Sequence, residues 1–267
     1  MYEAKIILDS INEYGNRLTT FELTYPRMIH SEFMTHRLFS RNSSSSRAIP
    51  IKKLRQKIID DPVKPVWWGK NQSGMQAKSE VGVLDKAKSE MIWLMARDLA
   101  VEYSIALEAI GLHKQIVNRL LEPWMWITVI CTATEYDNFF QLRCHEDAQP
   151  EIQEIARMMR IIYDSHIPEL LEIGRWHLPY ISEEDSKEYS IEEQKKLSVA
   201  RCARVSYLTH DGEHNPEKDL ALYKYLWESG HYSPFEHQAR SSYDNMKSGN
   251  FSGWVQHRKE VEHDSFR

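Results

Sequence analysis

The segment Thr35–Arg47 reads THRLFSRNSSSSR and concentrates groups that handle anions. Arginine presents a planar fork matched to phosphate oxygens. Serine hydroxyls add donors, and a turn-rich loop aims several N–H groups at one point. The same composition also describes a solvated Ser/Arg loop, and residue types alone leave both readings open. A second group is Arg119, Asn138, Arg143 and His145. Arg143 follows the apolar-rich NFFQL, which points to a half-buried guanidinium, either at a ligand or in an ion pair with Glu146, Asp147 or Glu122. A third is GHYSPFEH, 230–237. His231 and His237 there, with His210, Asp211 or His214, suggest a metal site, but no HExxH or CxxC spacing supports one. A capped helix end followed by a turn is the plainer account.

The bulk numbers set limits on what these groups serve. The chain has 267 residues, 42% hydrophobic and 27% charged, which suits a globular protein with a sizeable core. A net charge of −5 gives no basic field for nucleic acid, so an anionic small substrate needs a local basic site. No apolar run approaches the roughly 20 residues of a membrane span. The N-terminus lacks the basic-then-apolar pattern of a signal peptide. Cys131, Cys144 and Cys202 show no paired spacing, as expected of reduced thiols in a cytoplasm. GxSxG, Walker A and GxGxxG motifs are absent.

The elements that position these groups follow from periodicity. Residues 4–8 and 18–25 read as strands around a turn at 12–15. Thr19, Phe21, Leu23 and Tyr25 alternate with Thr20, Glu22 and Thr24, the period of a half-buried strand. Residues 27–39 read as a short helix, 40–50 as a polar loop closed by Pro50, 51–61 as a basic helix and 67–76 as a loop. A helical pattern runs from about 80 to 121. Pro123 breaks it, and a mostly apolar helix is expected to about 134. Further helices are expected at 149–164, at 191–203 behind a Ser190/Glu193 capping box, and from Asn215-Pro216 to Gly230. Residues 236–243 read as a strand. No repeat or linker divides the chain, so 1–267 is expected to be one domain. The fold class is α+β, helix-rich, with a small antiparallel sheet.

Together the three groups resemble the flavin-dependent thymidylate synthase family. Its signature RHRxxSxNxxSxR is matched by THRLFSRNSSSSR except at Thr35. NRLLEP and NFFQLRCHEDAQPEIQ are similar to its downstream segments. ARCARVSY and SGHYSPFEH are similar to the start of the usual family chain, yet lie here after everything else. That order implies a circular permutation, with 18–160 carrying the signature and 198–240 the usual N-terminus. The fold implied is that of thymidylate synthase-complementing proteins, in permuted order.

The resemblance implies conversion of dUMP to dTMP. Methylenetetrahydrofolate donates the carbon, reduced FAD the hydride, and NADPH re-reduces the flavin. Arg143 takes the place of the arginine that activates the pyrimidine. Glu32, Ser43, Ser44, Ser45, Arg47 and Arg119 take nucleotide-binding places, with Arg47 at the phosphate. Thr35, His36, Arg37, Asn42, Thr132, Thr134, Asn138, Ser206, His231 and Ser233 take flavin places. A homotetramer with shared sites is implied, with no nucleic acid, membrane or metal involved. Thr35, Ser43, Thr132, Thr134 and Asp147 depart from the family pattern by removing or altering polar groups. They leave open a 5-hydroxymethyl product or a different pyrimidine. A non-catalytic flavin- or nucleotide-binding protein is the alternative of another class. The tail from Asn250, with Trp254, His257 and Arg258, is expected either to pack on a neighbouring subunit or to close over the site.

Overall fold

The computed structural model describes residues 1–207 and 215–265. Five strands make the central sheet: β1 (Glu3–Asn12), β2 (Arg17–Pro26), β3 (Ser40–Ser43), β4 (Trp126–Ala133) and β5 (Glu169–Leu171). Their order is β3-β4-β2-β1-β5, antiparallel throughout except for the short parallel β1–β5 pair. The β1–β2 turn forms because Asn12 Oδ1 accepts from the amides of Tyr14 and Asn16, while Gly15 takes φ +80. Small Asx-turn residues and a glycine supply that geometry at least cost.

Alternation along β2 and β4 splits the sheet into two unlike faces. Phe21, Leu23 and Tyr25 pair across the strands with Cys131, Val129 and Ile127, and all six are fully buried. Over them lie Ile152, Ile155, Ala156 and Met159 of an amphipathic helix, Pro150–Ser165, which forms the main core with Phe33, Phe39, Tyr136, Phe139 and Phe140. The opposite face presents Thr20, Glu22 and Thr24 against Thr132, Ile130 and Thr128. The C-terminal part of the chain covers it. Ile130 packs with Cys202, Val205 and Tyr180, and Tyr180 Oη donates to Glu22 at 2.5 Å. The strand expected to be half-buried is therefore covered on both faces.

The helices in chain order are α1 (His30–Phe33), α2 (Ile51–Asp60), α3 (Val83–Ala109), α4 (Lys114–Val117), α5 (Asp137–Arg143), α6 (Pro150–Ser165), α7 (Glu183–Glu188), α8 (Ile191–Arg204), α9 (Pro216–Glu228) and α10 (His257–Ser265). α8 starts at the expected capping box: Ser190 Oγ accepts from Glu193 N, and Glu193 returns the bond to Ser190 N. A second capping box, Ser182 with Asp185, starts α7. Three short strands, β6 (Trp176–His177), β7 (Ala239–Ser241) and β10 (Trp254–Gln256), make a second sheet, while β8 (Lys247–Ser248) and β9 (Phe251–Ser252) form a hairpin.

Several expected elements differ. The helix expected after Pro123 is strand β4. An unbroken apolar run does not separate helix from strand by period, and the β-branched Ile127, Thr128, Val129, Ile130 and Thr132 decide for the strand. The helix expected over 27–39 shrinks to a 3₁₀ turn and the four residues of α1, and the 40–50 loop opens with β3. The expected 80–121 helix ends as α3 at Ala109, beyond which Gly111 takes φ +82. The strand expected at 236–243 is confined to β7. The tail packs on its own chain: Trp254 is fully buried with Leu18, Ala239 and Phe251, and its Nε1 donates to Asn16 O at 3.1 Å. No helix among the described residues is long and apolar enough to cross a membrane.

Candidate functional site

Three constellations surround β3. The first sits on α1, the turn after it and the end of α5. Arg143 Nε donates to His36 Nε2 at 2.9 Å, its Nη2 reaches Thr35 Oγ1 at 3.4 Å, and its Nη1 lies 3.7 Å from Glu32 Oε2. The guanidinium is half-buried, as expected, but its carboxylate is Glu32 rather than Glu146, Asp147 or Glu122. The His36 ring lies edge-on to Phe139 and stacks near Phe39, with centroids 4.9 and 5.8 Å away. Burial, followed by the Arg143 and Arg41 charges, holds its pKa down to about 4. A neutral ring that accepts at Nε2 carries its proton on Nδ1. Arg41 ties the turn together by donating to the carbonyls of Met34 and His36. Four residues from two distant stretches of sequence, Glu32, Thr35, His36 and Arg143, thus meet.

The second constellation holds the serine loop. Ser44 N donates to Thr128 O and Ser45 N to Ser206 O, while the amides of Ala48 and Ile49 bond within the loop. Ser44 Oγ accepts from Thr128 N, and Ser46 Oγ donates to Glu122 at 2.6 Å. Glu122 also receives Arg27 and Arg119, both at 3.1 Å, and together these neighbours keep its carboxyl below the usual range although burial opposes them. Asn118, fully buried, donates to the carbonyls of Ser46 and Ile49 at 2.7 and 2.9 Å. This corrects one expectation: those loop amides are spent inside the protein and do not converge on an anion. What the loop leaves partly or fully exposed are Ser43, Ser45 and Arg47, and no side-chain partner of Arg47 is found among the described residues. Arg37, at the other end of the signature, is exposed and unpaired in the same way.

The third constellation is buried between the sheet and the segment 233–237. Thr132 Oγ1 lies 2.8 Å from His237 Nδ1 and 2.8 Å from Thr20 Oγ1. Thr20 Oγ1 is 2.8 Å from His177 Nε2, whose Nδ1 is 2.8 Å from Ser10 Oγ. At the other end, His237 Nε2 meets the Asn42 amide, which also contacts Ser233. Burial pushes the pKa of both His177 and His237 down to about 3. Sequence reasoning singled out Asn42, Thr132 and Ser233 but gave no role to Thr20, His177 or Ser10, and placed His237 only as a metal candidate. The alternation that put Thr20 on the polar face of β2 was the one signal available for it.

Other expected site residues lie apart from these contacts. Thr134 Oγ1 accepts from Ser252 N at 3.2 Å, Asn138 is exposed on α5, and the exposed His231 bonds Ser229 Oγ at 2.7 Å and stacks near Tyr225. His210, Asp211 and His214 lie outside the described residues, among which no group of three or more His, Cys, Asp or Glu is placed to hold a metal. Arg258 pairs with Glu236 beside His237. A cavity of about 350 Å³ behind the loop is lined by Ser44, Ile49, Leu54, Trp124 and Thr128, and none of Glu32, His36, Arg143 or Ser233 reaches it.

The family model described as thymidylate synthase complementing protein matches residues 17–169. No curated protein matches the chain. Two solved structures of the UMP/dUMP methylase PolB from Streptomyces cacaoi are similar at low identity. The one bound with 5-Br UMP gives a TM-score of 0.49 at 15% identity, over 61% of this chain and 88% of that one. The one bound with 5-Br dUMP gives 0.43 at 18% identity, over 55% of this chain and 65% of that one.

Proposed function

The chain belongs to the thymidylate synthase complementing protein family, and from that premise we propose that it is a flavin-dependent thymidylate synthase acting on dUMP. The observation that carries this reading is Arg143, half-buried and tied by Thr35, His36 and Glu32 to the signature turn.

The donor set suits a flavin dinucleotide and an anionic nucleotide. Arg37 and Arg47 are two forks for phosphates, with no partner found among the described residues. His36 is a neutral, aromatic-packed ring, and Ser233 is exposed. We assign Thr35, His36, Arg37, Asn42, Thr132, Thr134, Asn138, Ser206, His231 and Ser233 to the flavin side. Glu32, Ser43, Ser44, Ser45, Arg47, Arg119 and Arg143 go to the nucleotide side. Thr132 and Ser44 are buried, so both act from behind the surface.

When bound, reduced FAD supplies the hydride, with the carbon coming from methylenetetrahydrofolate and NADPH as reductant. The remaining work falls to the chain. Uracil C5 is a poor nucleophile until negative charge develops on the ring. Cys131 and Cys202 are buried, with thiols raised well above their usual range by burial, so neither is placed to attack C6. Arg143 then stabilises the charge at the N3/O2 edge, and the neutral His36 holds Nε without competing for it. Glu32, beside the guanidinium, orients it and tempers its charge.

We read the whole chain as one catalytic domain of circularly permuted order, working in the cytoplasm. Contacts support the permutation: Ser206 and Ser233 meet the signature loop, and His237 and Ala239 lie by Thr132 and Leu18. Permutation is tolerated when the original termini lie close together. An exposed stripe on α3, Met91, Met95, Leu99 and Tyr103 at four-residue spacing, supports a homo-oligomer, which we take as a tetramer with shared sites.

The test is turnover of dUMP with methylenetetrahydrofolate and NADPH, after titration with FAD. Arg143→Ala should lose about 100- to 1,000-fold in rate with the fold and flavin retained. Near-normal turnover in that variant would remove the proposed mechanism. Formation of the 5-hydroxymethyl nucleotide instead of dTMP would reassign the last step.

A further inference from the structure

The third constellation carries a directional argument. Asn42 sits on β3 with one side of its amide 3.0 Å from the Ser233 carbonyl and 3.2 Å from the Arg41 carbonyl. Carbonyl oxygens only accept, so that side is Nδ2. The same Nδ2 lies 3.0 Å from His237 Nε2, and Oδ1 faces Ser233 Oγ at 3.3 Å. His237 Nε2 must therefore be the bare, accepting nitrogen, because an N–H there would face another N–H. Its proton sits on Nδ1 and is donated to Thr132 Oγ1.

From there the contacts admit one continuous sense of donation. The Thr132 hydroxyl, its lone pair engaged by His237, donates to Thr20 Oγ1. Thr20 donates to His177 Nε2, and His177 Nδ1–H donates to Ser10 Oγ. Ser10, Thr20, Thr132, His177 and His237 are fully buried, and Asn42 is nearly so. Leaving any buried donor or acceptor here unmatched costs as much as several ordinary hydrogen bonds gain. In this sense the run ends on Ser10 Oγ. It surfaces at Ser233, its single exposed member, whose proton is directed inward to Asn42 Oδ1.

We propose that His237 is a positioning residue that fixes the Asn42 amide and thereby presents Ser233 Oγ to the flavin as a hydrogen-bond acceptor. The proposal rests on the flavin reading of this site. It adds a residue with no surface of its own and a rule for Ser233: the ligand group that meets it donates an N–H or O–H. A purely structural histidine would need only to fill the space.

Two variants divide the ring's roles. In His237→Gln the side-chain oxygen reproduces an acceptor near the Nε2 position. In His237→Asn the shorter amide reproduces the Nδ1 donor toward Thr132 but leaves Asn42 Nδ2 without its partner. FAD titration followed by flavin fluorescence should show His237→Asn binding roughly 10-fold more weakly than the unaltered protein, with His237→Gln within about threefold. Equal FAD affinity in His237→Asn and the unaltered protein would overturn the positioning role while leaving the flavin reading intact. Absence of FAD binding by the unaltered protein would overturn the flavin reading, and the role of His237 with it. Imidazole ¹⁵N NMR of the unaltered protein needs no variant: His237 should be the neutral Nδ1–H tautomer. An Nε2–H tautomer at His237 would overturn the proposal whatever the variants do.

Discussion

The two faces of the central sheet are built on opposite principles from the same two strands. One face, Phe21, Leu23 and Tyr25 with Ile127, Val129 and Cys131, is closed by α6 and filled by aromatic rings in contact. Its contacts are non-directional, so its stability scales with buried area. The other face, with Thr20 and Thr132 at its centre, is closed by imidazoles and hydroxyls through a run of directional hydrogen bonds. The first face tolerates a change of shape at a graded cost. The second fails by links, and its outermost link lies at the candidate cofactor site.

The comparison is broken or sharpened by substitution. Phe21→Ala should cost about 3–5 kcal/mol through its cavity, with the FAD affinity of the folded fraction unchanged. A coupled loss of affinity in urea-melt and titration data would show that the faces are not independent. Acid should act on the hydroxyl face. The folded pKa values of His177 and His237, about 3, lie below the ordinary 6.5, so between those values the unfolded chain binds more protons. Their contribution is intact above pH 6.5 and is lost as pH falls toward 3, by about 2 kcal/mol per histidine at pH 5. His177→Gln should flatten the pH dependence of the melting midpoint, and an unchanged slope would contradict the burial assigned to that ring. Thr132→Val keeps the volume but strands the His237 Nδ1–H, for about 1–3 kcal/mol, and here FAD affinity should fall as well. Arg119→Ala, at the exposed pair with Glu122, should change stability by less than about 0.5 kcal/mol.

The same contrast explains what the sequence disclosed. Local rules made β2, the capped start of α8 and the Pro216 start of α9 legible, because alternation and caps are written within a few residues. Arg143 was legible as half-buried from the apolar residues before it. β4 was misread because both of its faces are buried and the period that separates strand from helix disappears. The polar face of β2 read as solvated because its cover, His177, Tyr180 and His237, comes from more than a hundred positions downstream. Asn118 looked like an ordinary member of a helical end and Glu122 like a candidate partner for Arg143, and nothing local shows that they hold the serine loop. The loop's amides were expected to face outward, but pairing with Thr128 and Ser206 turns two of them in.

The order in which the two faces are closed also matters to a chain leaving the ribosome. α6 emerges soon after β4 and seals the aromatic face at once. The cover of the other face is complete only when β10 has been made, which at ~5–20 residues per second leaves on the order of 10 s of waiting. During that interval the surface left in water is mostly threonine and glutamate, with Ile130 among them, rather than phenylalanine. A nascent protein with the two faces exchanged would expose its stickiest surface for the whole delay, so the polarity of β2 and β4 protects the half-made molecule from aggregation as well as shaping the finished one.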